Sequence, residues 1–190
     1  MILIPPTPEL AVLLEAFDAR GGVIEFEFYE AETSTLDQSQ HQKAAGLFLS
    51  NVATHYTEFY EVDEHDPLRR AGPRHSWDEN QLTGKLISFA EFWGSELPSG
   101  ECGIPDGFKT AFFMPPYKLS GGIALNQPLF ENIGRYLFPY HLRNALTIFA
   151  WNTDCSSYFD AGREWWGTFF WTVSRPGDNA ICVIAASTTD

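Results

Sequence analysis

The sequence predicts an α+β domain in which helices cover an antiparallel sheet that ends in a C-terminal hairpin. Three observations lead there. Apolar stripes at helical spacing occupy much of the first two thirds, and runs of strand length rich in β-branched and aromatic residues fill the last third. No composition break, internal repeat or low-complexity tract divides the 190 residues, so 1–190 is read as a single domain. A chain of this size sustains a core without metals or disulfides.

The elements follow in order. Thr7-Pro8-Glu9-Leu10 opens a helix, with Thr7 as cap, Pro8 in the first turn and Glu9 at the positive end of the dipole. Leu10, Leu13, Leu14 and Phe17 form its apolar stripe, and Gly21-Gly22 stops it. From Val23 to Glu30 the period changes to two, as in a half-buried strand. A second helix is predicted from Leu36 to Tyr60, on the spacing of Ala45, Phe48, Leu49, Val52 and Tyr56. Residues 62–80 read as a loop. Leu82, Leu86, Phe89, Ala90 and Trp93 favour a helix over 81–93, followed by a loop over 98–107. Phe108 to Met114 reads as a short strand closed by Pro115-Pro116, and Pro128 as the start of a third helix. Strands are predicted over 145–151, 168–174 and 180–187. Arg175-Pro-Gly-Asp-Asn179 joins the last two at hairpin length.

The net charge is −13, and its placement is uneven. Between Glu25 and Asp66 ten acids meet one base, Lys43. Such a stretch repels a phosphate backbone, which argues against nucleic acid as a partner and favours a basic protein. Cys102, Cys155 and Cys182 are too scattered for a disulfide framework or a zinc site. The opening Met-Ile-Leu-Ile-Pro-Pro lacks a basic n-region, and no apolar run reaches the roughly 18 residues of a membrane span. A soluble cytoplasmic protein is expected, with no membrane association and no cofactor.

The densest chemistry lies in Ser157 to Trp171, where seven aromatics surround Asp160, Arg163 and Glu164. One reading is a ligand pocket of Tyr158, Asp160, Arg163, Glu164 and Trp166, its carboxylates serving as acid and base or holding a cation or sugar. The plainer reading is a turn at Asp160-Ala-Gly162, with Arg163 paired to an acid and the tryptophans in the core. Glu25 and Glu27 share one side of their strand, with Glu30 at its end. They suit a basic partner or a divalent cation, or form the solvated face of an edge strand. No histidine pair has metal-site spacing, and Met114-Pro-Pro-Tyr117 lacks the acceptor that an amine methyltransferase needs in its first position.

The block from Trp151 to Gly167, with Tyr158-Phe-Asp160 before Glu164-Trp-Trp-Gly167, resembles a family of small bacterial proteins to which no activity is attached. Ala111 to Tyr117 and the closing Ala186-Ser-Thr-Thr-Asp190 are similar to the same group. Cys155 stands where that pattern has tryptophan, and Asn152 where it has serine. The resemblance implies a bacterial source and a shared fold. In size and charge the chain is similar to immunity proteins that neutralise toxins. The function expected is therefore a non-enzymatic interaction protein, possible catalytic residues being unassigned. The alternatives are a small-molecule-binding protein or hydrolase using the aromatic pocket, and a subunit whose aromatic block forms a dimer interface.

Overall fold

Side-chain alternation along six antiparallel strands divides the interior into two cores. The computed structural model describes residues 1–33, 35–60, 75–94, 107–163 and 166–187. Among these, β1 (Ile2–Ile4), β2 (Ile24–Glu30), β3 (Gly84–Ile87), β4 (Thr147–Trp151), β5 (Phe169–Ser174) and β6 (Ala180–Ala186) form one sheet. Its order is β1-β2-β6-β5-β4-β3. The predicted hairpin is β5–β6, in register from Phe169↔Ala186 to Ser174↔Ile181. Gly177 adopts a φ of 84° in its turn, and Arg175 donates to Asp178 there at 2.6 Å. The α+β class and the C-terminal hairpin are as expected. No helix among the described residues is long and apolar enough to cross a membrane.

One face of the sheet carries α1 (Pro8–Asp18), α3 (Phe89–Trp93), α4 (Gly107–Phe113) and α5 (Gly122–Leu137). Ile24, Phe26 and Phe28 of β2, Trp171 and Val173 of β5, and Ile184 of β6 point into this first core. It is built from rings: Phe17 stacks on Phe112 with centroids 4.4 Å apart, and Phe92 on Phe108 at 5.3 Å. The other face carries α2 (Gln38–Tyr60), whose Ala44, Ala45, Phe48, Leu49 and Val52 meet Tyr29, Phe149, Phe170 and Val183. Because both faces are covered, every residue of β5 is buried.

Thr7 caps α1 as expected, accepting from the Leu10 amide at 3.4 Å. Four expectations change. Residues 81–93 hold no single helix: β3 comes first, and Ser88 then starts α3 with a capping box, accepting from the Glu91 amide at 3.2 Å while its own amide donates to Glu91 at 2.8 Å. Leu86, one of the residues read as favouring that helix, is exposed on the edge strand. Phe108 to Phe113 is helix rather than strand; six of the seven residues of α4 are buried, so the segment has no polar face to reveal a helical period. Pro128 does not start α5 but lies inside it on the exposed side, the helix beginning at Gly122.

The fourth change concerns β2. It is an inner strand, paired with β1 on one side and β6 on the other, so Glu25 and Glu27 are not the solvated face of an edge. The edges are β1 and β3, short strands of three and four residues. The larger part of the 62–80 loop, residues 62–74, and nearly all of the 98–107 loop lie outside the described residues.

Candidate functional site

The aromatic block is laid down by a succession of small polar caps. The Asn152 side chain accepts from the Asp154 amide at 2.8 Å and starts one 3-10 turn; Ser156 Oγ accepts from the Tyr158 amide at 3.2 Å and starts the next. The strand-like piece 76–78 laces this segment in place. Asp78 N–H donates to the Cys155 carbonyl at 2.8 Å, and Ser157 N–H to the Ser76 carbonyl at 3.0 Å. Short helix α6 (Asp160–Arg163) follows, closed by the Gly167 amide, which donates to the Gly162 carbonyl at 2.7 Å. A side chain at Gly162 would stand 2.6 Å from the Gly167 carbonyl oxygen, so the return needs glycine there.

This path sends the block's rings to opposite sides of the sheet. Tyr158 and Phe159 enter the core under α2, whereas Trp166 enters the other core. There the Trp166 indole donates to the Met114 carbonyl at 2.5 Å and packs edge-on against Phe169. The segment from Ala111 to Tyr117 and the block from Trp151 to Gly167 thus meet at Met114 and Trp166. The structure brings Asp160 and Arg163 together, 3.4 Å apart, and separates Tyr158 from Trp166. Arg163 also reaches Asp154 at 3.2 Å and donates to the Thr153 carbonyl. Glu164 and Trp165 lie outside the described residues.

The Tyr158 hydroxyl donates to Glu25 at 2.9 Å, joining two groups that the sequence assigned to different sites. The neighbouring Glu27 accepts from the Tyr29 hydroxyl and, at 3.3 Å, from Asn51. Burial and this anion together hold the Tyr29 phenol well above its ordinary pKa. Glu30 alternates to the other face, is exposed, and accepts from Asn179 at 2.9 Å.

Sequence reasoning passed over His41. Its ring nitrogens lie 2.8 Å from Thr172 Oγ1 and 3.0 Å from Ser174 Oγ, fully buried between α2 and β5. Trp151 donates its indole N–H to the same Thr172 oxygen at 2.9 Å. All partners are satisfied when Thr172 donates to Nδ1 and Nε2–H donates to Ser174, the neutral tautomer. Burial pushes the imidazole pKa down to about 4, against a small opposing pull from Asp37. The signal lay in the spacing: His41 precedes Ala44, Ala45 and Phe48 on one helical stripe.

The two described cysteines are poor nucleophiles. Burial, more than the neighbouring Asp154, raises the Cys155 thiol to about 11, and Cys182 is raised by burial as well. Among the described residues no three His, Cys, Asp or Glu side chains gather as metal ligands do. The acids that do gather are exposed: Asp78, Asp154 and Asp160 border a polar hollow of about 260 Å³ beside Ser76, Gln81 and Ser157. Asp78 accepts from Asn80 N–H and from the Gln81 amide, which hold its carboxyl below the usual range. No protein family model, curated protein or solved structure matches this chain.

Proposed function

We propose that this chain is a non-enzymatic interaction protein of bacterial origin, of the immunity type, that binds a basic protein partner. The observation that carries the reading is the hollow bordered by Asp78, Asp154 and Asp160. Among the described residues it presents three exposed carboxylates beside the guanidinium of Arg163, on a chain whose net charge is −13. Backbone bonds through residues 76–78 and 155–157 hold the hollow in shape, so little ordering is left for the moment of binding. The field of the whole chain steers a cationic partner, and the fixed carboxylates receive its lysines and arginines. Glu25 and Glu27, half-buried and already bonded to tyrosines, help position this part of the fold rather than meet the partner.

The test is capture from a bacterial host at low salt, with the natural chain beside a triple charge reversal, Asp78→Lys, Asp154→Lys and Asp160→Lys. A basic protein recovered in near-equal amount, released by salt and absent from the reversed chain, is expected. Recovery of the same protein by both chains overturns the surface. Recovery of none by either overturns the reading.

A further inference from the structure

The register of the sheet places Ile4, Phe28, Cys182 and Val173 side by side across four adjacent strands, as one row facing the first core. Further along β5, Trp171 meets Phe92 of α3 and Phe169 packs against Trp171 and Trp166, filling this face with rings. At the row itself the side chains of β5 and β6 are small: Val173, Cys182 and, one pair further on, Ala180. They leave a pocket of about 190 Å³. Its walls are Leu10 of α1 and Leu137 of α5, and the Ile4-Pro5-Pro6-Thr7 link crosses one side. The proline pair fixes the backbone of that link, so the pocket is held open by rigid elements. Leu10, Leu137, Val173 and Cys182 are all buried, which makes the interior apolar.

The mouth differs in chemistry. Arg175 is the one cation among the described residues that line the pocket. Its Nε donates to Asp178 at 2.6 Å, and one terminal nitrogen points to the Tyr136 carbonyl at 3.4 Å. A guanidinium carries about five N–H donors. Those two contacts leave donors on both terminal nitrogens, the edge that takes a carboxylate by two parallel bonds. An apolar cavity of about 150 Å³ accommodates benzene, so this one accepts about six to eight carbon atoms.

We propose that this pocket binds a small monocarboxylate, its hydrocarbon part lying on the Ile4–Phe28–Cys182–Val173 row and its carboxylate on the terminal edge of Arg175. The site is independent of the acidic hollow and of the partner assigned to it. An apolar body with a few polar groups fixing its orientation is how small-ligand sites are generally built.

The probe is hexanoate, titrated into the full chain and followed by NMR shifts of residues lining the pocket, with 1-hexanol and hexylamine as head-group controls. Hexanoate is expected to bind at least about tenfold more tightly than 1-hexanol, and hexylamine not to bind, the tenfold being what one charge-assisted bond supplies. Arg175→Gln should bring hexanoate down to the level of the alcohol. Ala180→Phe, at the partly exposed start of β6, should fill the hollow and abolish both. Absence of hexanoate binding overturns the proposal, as does equal binding of acid and alcohol by the natural chain. Binding that survives Ala180→Phe in a folded variant places the ligand elsewhere and overturns it too. The head-group series needs no variant to fold, so it decides the matter by itself.

Discussion

Tyr158 donates its hydroxyl to Glu25 at 2.9 Å, a bond between residues 133 positions apart in the chain. It ties the aromatic block to an inner strand of the sheet, on the side that α2 covers. The tyrosine is 2% exposed, so its polar tip needs this partner as much as the carboxylate does.

Tyr158→Phe keeps the ring and removes the donor. A hydrogen bond to a charged group is worth about 1.5–3 kcal/mol, and the half-buried position of Glu25 lets water recover part of it. We expect a loss of about 1–2 kcal/mol, read as a lower urea midpoint at unchanged slope. A midpoint equal to that of the natural chain would show that the bond contributes nothing net.

The second prediction concerns acid. His41 has a folded pKa of about 4 against an ordinary value near 6.5, so between these limits the unfolded chain binds the extra proton. The stability that the neutral ring contributes is fully present above pH 6.5 and is lost as the pH falls through 4. The shift corresponds to about 3 kcal/mol. His41→Gln is less stable than the natural chain at neutral pH, and the gap should narrow by about that amount between pH 7 and pH 4. A gap independent of pH would mean that the imidazole titrates alike in both states.

Two glycines test strain against space. Gly177 has a φ of 84° in the β5–β6 turn with nothing near its missing side chain, so Gly177→Ala should cost only the left-handed strain, about 1–2 kcal/mol. Gly107 has a φ of 75°, and a side chain there would stand 2.5 Å from the backbone of Gly94. Gly107→Ala adds that collision, between the end of α3 and the start of α4, to the same strain. We expect it to cost about 2–5 kcal/mol. Equal thermal unfolding midpoints for the two variants would refute the close approach.

What the sequence made legible follows from physics local to each segment. The strands at 24–30, 147–151, 169–174 and 180–186 announce themselves by alternation or by β-branched and aromatic runs, and α1 by Thr7 and Pro8. The hidden elements are those whose pattern is set from outside. α4 is buried nearly all round, so no period marks it as a helix. β3 takes its conformation from pairing with β4, and the cue that separates it from α3 is a capping box at Ser88 and Glu91. The site was less legible still. Nearness along the chain suggested that Tyr158 and Trp166 share a wall, but α6 lies between them, and Tyr158 enters one core while Trp166 enters the other. Glu25 and Tyr158 were both legible as residues of interest, whereas their contact is a product of topology alone.

The sheet that separates the two cores also confines a perturbation to the side on which it arises. Truncation of Phe112 or Leu129 is felt by the rings around it and stops at the strands; truncation of Phe48 is felt under α2. Free-energy changes from opposite faces should therefore add, while those within one face interact. Each interior can then be altered without disturbing the other, so long as the backbone of β2, β6, β5 and β4, which both share, is kept.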